Sequence, residues 1–114
     1  TAMKLIAKKQ YQEAIPFLDQ ALESEKQPSS KGNIYYWKGE SLFALGQYQE
    51  AIEHFGKVEE YKHTPKLDDA ILMTAESYLK IGNIDLAKKT YRQLLSIFPN
   101  SEFSARAKKQ LQRL

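Results

Sequence analysis

Leu45-Gly46-Gln47-Tyr48-Gln49-Glu50-Ala51-Ile52 lies near the middle of the chain, and its reading decides the architecture. A near copy precedes it, Lys8-Lys9-Gln10-Tyr11-Gln12-Glu13-Ala14-Ile15. A looser one follows, Ile81-Gly82-Asn83-Ile84-Asp85-Leu86-Ala87-Lys88. The alanines Ala14, Ala51 and Ala87 stand 37 and 36 residues apart, and the first two copies share Gln-Tyr-Gln-Glu-Ala-Ile outright. A fixed period of this length marks an architecture of stacked supersecondary units.

Each copy sits at a break between two helical patterns. Upstream of Gly46, apolar and small residues fall at Tyr35, Gly39, Leu42 and Phe43. Downstream they fall at Tyr48, Ala51, Ile52, Phe55 and Val58. Both sets trace one face of a helix. The third copy repeats this with Ile71, Ala75, Tyr78 and Leu79, then Ile84, Ala87, Tyr91, Leu94 and Leu95. Gly46 and Gly82 fit helix ends in the left-handed conformation, which glycine tolerates. Asn83 suits an N-cap, and Thr64-Pro65 offers an N-cap followed by proline at the first helical position. Pro99-Asn100-Ser101 ends one helix and starts the last. The pattern predicts seven helices, at about 2–8, 11–26, 31–45, 48–62, 65–81, 84–98 and 101–113. Two local departures mark the first copy: Lys9 stands where the others have glycine, and Pro16 lies inside a helix, where it removes a backbone bond.

The small residues predict close helix crossings. Ala14, Ala51 and Ala87 let the second helix of each pair approach the first, where Gly39 and Ala75 leave room. Leu18, Phe55 and Tyr91, one turn later, are expected to fill the gap to the next pair. One pair cannot bury such a surface alone, so the pairs must stack. Ser101 to Leu114, with Phe103, Ala107, Leu111 and Leu114, reads as a terminal capping helix.

The composition narrows the function classes. The 114 residues are 42% hydrophobic and 27% charged, with a net charge of +3 and no cysteine. That excludes disulfides, thiolate metal sites and thiol nucleophiles. The only local basic excess, Arg106, Lys108, Lys109 and Arg113, lacks the interleaved aromatics of a nucleic-acid surface, so no nucleic acid is expected as partner. No apolar run is long enough for a membrane span, so no membrane insertion is expected. The first residue is Thr1, and the chain reads as a piece of something longer, so the sequence fixes no compartment.

No chemical constellation emerges. His54 and His63 lack ligand partners at helical spacing and read as surface residues, so no metal or cofactor is expected. Glu40 and Glu76 occupy equivalent places 36 residues apart. They could act as an acid–base pair only with a nucleophile or metal beside them. Ser41 and Ser77 are likewise equivalent, with no base in evidence. The chain is not expected to be an enzyme.

Tyr35, Gly39, Gly46, Tyr48, Ala51, Phe55 and Pro65, then Ala75, Gly82, Ala87, Tyr91 and Pro99, resemble the tetratricopeptide repeat (TPR) family across nearly the whole chain. The resemblance implies an all-α, right-handed solenoid of antiparallel helix pairs forming one domain over 1–114. Its units would be a truncated first at 1–27, a second at 31–62, a third at 65–98 and the capping helix at 101–114. The spacing beyond the family's roughly 34 residues would be absorbed in linkers Gln27 to Lys31 and Lys62 to Lys66.

In that family the first helices line a concave face that binds partners. Carried over by register, the face would show Asn33, Tyr36, Trp37, Glu40, Phe43 and Ala44, then Asp69, Leu72, Met73, Glu76, Leu79 and Lys80, with Met3 and Ile6 from the first unit. Tyr36 is expected in the groove and Tyr35 in the core, while Trp37 is left unplaced, because each helical step turns about 100°. Aromatics beside carboxylates suit a protein or peptide partner with basic segments. Glu40 and Glu76 are expected side by side there, repelling one another and dispensable for packing. They argue against a clamp for C-terminal carboxylates. Self-assembly into a homo-oligomer is the rival reading. The linkers Thr64 to Ala70 and Phe98 to Phe103 also resemble those of bacterial envelope TPR proteins, of the Tol-Pal system first and of outer-membrane assembly lipoproteins next. That implies a periplasmic adaptor.

Overall fold

The computed structural model describes residues 1–61 and 63–114. Among the described residues it is helical, without strands. The elements are α1 (Ala2–Ala7), α2 (Tyr11–Ser24), α3 (Pro28–Ala44), α4 (Tyr48–Val58), α5 (Leu67–Lys80), α6 (Ile84–Ile97) and α7 (Ser104–Arg113). Each helix packs on its chain neighbour. Beyond that, α3 and α5 touch directly, while no comparable contact joins α2 to α4 or α4 to α6. Helices α3 and α5, the first helices of their pairs, therefore lie on the shorter, inner side of the stack.

The turns within pairs are built alike. Gly46 donates its N–H to the Phe43 carbonyl at 3.0 Å, and Gln47 donates to Leu42 at 2.8 Å. Gly82 and Asn83 repeat this on Leu79 and Tyr78, and Lys9 and Gln10 on Ile6 and Leu5. This reversal needs a left-handed residue. Gly46 and Gly82 supply it with φ of 79° and 83°; Lys9 adopts 60° despite its side chain. Asn83 caps α6 as expected, its Oδ1 accepting from the Leu86 N–H at 3.2 Å.

Thr64-Pro65 behaves differently from expectation. Helix α5 begins at Leu67, with Lys66 at its N-cap. Thr64 is instead pressed onto α3. Its hydroxyl donates to the Ser29 carbonyl at 3.4 Å, and a Cβ on Gly32 would lie 1.9 Å from its Oγ1. The close approach to glycine outweighs capping. Helix α4 ends at Val58, short of the expected 62, and that last position and the linker start at Lys62 lie outside the described residues. The last helix starts at Ser104, because Ser101 turns back to accept the Phe103 N–H at 3.1 Å.

Two hydrophobic clusters run along the stack. One joins Tyr36, Leu42, Ala51, Phe55, Val58 and Ala70; the other joins Ile71, Leu72, Ala75, Ala87, Tyr91, Leu94 and Ala107. Phe55 is wholly buried, which contributes about 1.5–3 kcal/mol relative to exposure. Its ring lies where a Cβ on Gly39 would be 2.6 Å away. The space left by Gly39 is thus filled within the α3–α4 pair, not only toward the next pair as the spacing suggested. Tyr91 also serves its own pair, through a hydroxyl bond to Glu76 on α5.

Candidate partner-binding face

The inner helices α3 and α5 carry the candidate residues of the expected groove apart from Met3 and Ile6, which lie on α1. The aromatic run Tyr35-Tyr36-Trp37 is divided by its helical rotation. Tyr36 is only 4% exposed: it lies on the inner helix α3 but is covered in the free protein, with the Lys66 ammonium over its ring. Tyr35 is half-buried away from that cluster's interior, 6.0 Å from the Tyr61 ring and 6.3 Å from His54. With Leu22, Lys38, Glu53, His54 and Lys57 it lines a second cleft of about 300 Å³. Trp37 is half-buried, edge-on to Tyr36 with centroids 5.1 Å apart.

Tyr36 is buried but not inert. Its hydroxyl donates to Asp69 Oδ2 at 2.8 Å, linking α3 to α5. Burial raises its pKa, and the charge of neighbouring Glu40 and the bond to Asp69 add to the rise. One phenolic proton serves one carboxylate, and Glu40 Oε1 is left buried without a partner. Burial also raises the Glu40 pKa, and the negative charge of Asp69 raises it further, against Lys66 and Tyr36, which lower it. Asp69 is likewise raised by burial, opposed by the Tyr36 bond and by Lys66. Both carboxyls therefore resist ionisation, because desolvation and like charge disfavour the anion. Asn33, one turn before Tyr36, also has a buried, unpartnered Oδ1.

The expected pairing of Glu40 with Glu76 is replaced by Glu40 with Asp69. Units are staggered: Tyr36 reaches Asp69 and Ser101 reaches Asp68, each across 33 residues, while Gln93 reaches Glu59 across 34. These separations fall short of the 36-residue repeat by two or three residues, nearly one helical turn. Contacts between units hence link a residue to a position about one turn before its equivalent.

Glu76 has its own structural partners, contrary to the expectation that packing does not need it. It accepts the Tyr91 hydroxyl at 2.9 Å, and Arg106 of α7 pairs with its other oxygen. Burial raises the Tyr91 pKa, and the bond to the Glu76 carboxylate raises it further. Phe43, Glu76, Leu79 and Lys80 meet Gln110 of α7 around an open cleft of about 360 Å³. Met73 packs against the cluster around Phe55. The candidates thus form two neighbouring groups: Tyr36, Trp37, Glu40 and Asp69 in one, Phe43, Glu76 and Lys80 in the other.

Lys66, Arg106 and Gln110 were not among the sequence candidates. Lys66 read as linker, and the other two as parts of a capping helix. Their roles come from contacts across units, for which a single sequence carries no local signal. Ser41 and Ser77 are wholly buried and donate to the carbonyls of Trp37 and Met73, one turn earlier, at 2.9 and 2.7 Å. Among the described residues no three His, Cys, Asp or Glu side chains cluster as a metal site, and no helix is long and apolar enough to cross a membrane.

The family model described as anaphase-promoting complex, cyclosome, subunit 3 matches residues 7–94, most of the chain. The chain belongs to this tetratricopeptide-repeat family. The crystal structure of the TPR domain of Arabidopsis FLU is similar to it in fold, with a TM-score of 0.80 and 22% identity. The match covers 89% of this chain and 91% of that one. No curated protein sequence matches the chain. The TPR fold is generally a scaffold for protein–protein interaction, and its inner helices are the ones that carry the groups described above.

Proposed function

We propose that this TPR domain is a non-catalytic scaffold that binds a basic segment of a partner protein on its inner face. Asn33, Tyr36, Trp37, Glu40, Phe43, Asp69, Met73, Glu76 and Lys80 would line the groove, in units at 1–27, 31–62 and 65–98 closed by 101–114. One observation carries the reading: Glu40 and Asp69 are held together on the inner helices beside two aromatic rings, with an unpartnered Glu40 oxygen. A partner lysine or arginine would supply the missing positive charge and lay its aliphatic stem on the rings. The matched family's name is that of a complex subunit, which agrees with a role in assembly. The linker resemblance favours a periplasmic adaptor.

Capture of partners from the source organism by the wild-type domain, beside Glu40→Gln/Asp69→Asn, tests the proposal. A protein retained by the wild type and lost from the double variant supports it. Equal retention by both moves the interaction off this face.

Self-assembly has one observation in its favour. The ionisable acids and bases of α2 are all acidic, Glu13, Asp19 and Glu23, while those of α7 are all basic. Asp19 and Arg106 are paired within the domain, with Lys38 and Glu76; stacking end to end would bring the remaining opposite charges together. Light scattering over a concentration series decides, since a constant monomer mass removes that reading.

A further inference from the structure

Tyr36 and Trp37 meet at an interplanar angle of 79°, forming two walls of a corner. Lys66 places its ammonium in that corner, 5.3 Å from the centroid of each ring. Cations are attracted to aromatic faces within about 6 Å of the centroid. Glu40 and Asp69 border the same corner, and both feel the Lys66 charge. The corner therefore has the composition of an ammonium receptor: two ring faces and two carboxylates around one cation.

The resident cation is held loosely. Among the described residues Lys66 makes no direct ion pair; the pairs formed are Lys38–Asp19, Lys57–Glu60 and Arg106–Glu76. Two carboxylates share its single charge, and Glu40 Oε1 still lacks a partner. Lys66 is anchored through its backbone, whose carbonyl accepts the Ala70 N–H at 2.8 Å as α5 begins. Its side chain has four rotatable carbons, so the ammonium can leave while the helix start stays in place.

We propose that the Tyr36–Trp37 corner is a lysine-recognition site, filled by Lys66 in the free protein and yielded to a lysine side chain of the partner. This rests on the groove reading above and adds to it a specific subsite and a built-in competitor. Lys66 keeps the acids partly neutralised until a partner arrives. A partner lysine free to approach closely can reach the Glu40 oxygen that Lys66 leaves unpaired. Affinity is then set by the difference between two lysines, so single basic residues exchange poorly and a lysine within a longer docked segment exchanges well.

Trp37 is the only tryptophan in the chain, so its emission reports on the corner directly. The wild type and Lys66→Gln are titrated with a capped alternating lysine–glycine peptide and with its norleucine counterpart. Lys66→Gln should bind the lysine peptide about fivefold more tightly than the wild type, the value of one modest cation–π contact. The norleucine peptide should show no such gain. In the unaltered protein, the Lys66 ε-proton resonances should be displaced by the ring currents of Tyr36 and Trp37, and should lose that displacement on saturation with the lysine peptide. Equal affinity of the two proteins, or a ring-current shift that survives saturation, overturns displacement while leaving groove binding standing. Absence of saturable lysine-peptide binding in both proteins overturns the subsite and the basic-partner groove together.

Discussion

The Tyr91 hydroxyl donates to Glu76 Oε2 at 2.9 Å, joining α6 to α5 at a carboxylate that also pairs with Arg106 of α7. One side chain thus ties three helices. The Glu76 side chain is 12% exposed and Tyr91 is wholly buried. Removing the carboxylate leaves a buried phenol without an acceptor. Glu76→Ala should destabilise the domain by about 1–3 kcal/mol, the cost of orphaning a buried polar group. Urea denaturation measures this, and Tyr91→Phe should recover part of the loss in the double variant. A single variant with the wild-type midpoint would mean that the hydroxyl finds water instead.

A second test concerns the crossing of α3 and α4. Ala51 is wholly buried, and Phe55, one turn later, lies against Gly39. Ala51→Leu should destabilise by about 1–3 kcal/mol through overpacking. Gly39→Ala should also destabilise, since the new methyl would sit 2.6 Å from the Phe55 ring. Combining Gly39→Ala with Phe55→Leu should cost less than the sum of the two single changes, because a smaller side chain admits the methyl. Strict additivity in a double-mutant cycle would show that the ring moves aside without strain.

The parts of the fold legible in the sequence were those written locally. Gly46, Gly82 and Asn83 announce their conformations within a few residues, and the alanine register places α2, α4 and α6. Thr64 misled because its local signal, a hydroxyl before proline, is overridden by contact with Gly32, far away along the chain. The candidate site was legible as a set of helix positions but not as pairs. Register put Glu40 level with Glu76. The stagger of successive units instead sets Glu40 beside Asp69, and that offset depends on how large side chains seat between helices. Nor does periodicity decide between adjacent aromatics. Tyr36 went inward because its hydroxyl finds Asp69 there, an acceptor 33 residues away.

Lys9 offers a test of backbone strain. It holds φ of 60° at a turn where the equivalent residues are glycine. A side chain in this conformation costs about 1 kcal/mol relative to glycine. Lys9→Gly should therefore stabilise the domain, by less than that full amount because glycine also gains freedom in the unfolded chain. Gly46→Ala and Gly82→Ala should destabilise by a similar amount, since space is open around both and only the dihedral is unfavourable. Thermal melting of the three variants gives the signs, and a destabilised Lys9→Gly would show that the lysine stem earns its place by packing.

The Glu40–Asp69 pair makes a prediction in pH. Both carboxyls have raised pKa values, from burial first and from neighbouring acids second. The groups acting on them are Tyr36 from α3, Lys66 and Asp68 at the start of α5, and Glu102 before α7. A carboxyl with a raised value keeps its proton in the folded state at a pH where the unfolded chain has lost it. In that window the folded state binds more protons, so this pair's contribution to stability falls as pH rises through it. The window opens at the ordinary carboxylate values and closes above the raised ones. Glu40→Gln abolishes one of the two titrations, the one that the charge of Asp69 pushes up further. Its denaturation midpoint should exceed that of the wild type at pH 7, and the gap should narrow as the pH is lowered toward the ordinary glutamate range. The same acids give partner binding the opposite slope. A lysine peptide needs them charged, so its affinity should fall as pH drops through the same window. Stability and binding measured across one pH series must therefore move in opposite directions if Glu40 and Asp69 are the groups responsible; a parallel fall of both on acidification would assign the titration to other carboxylates.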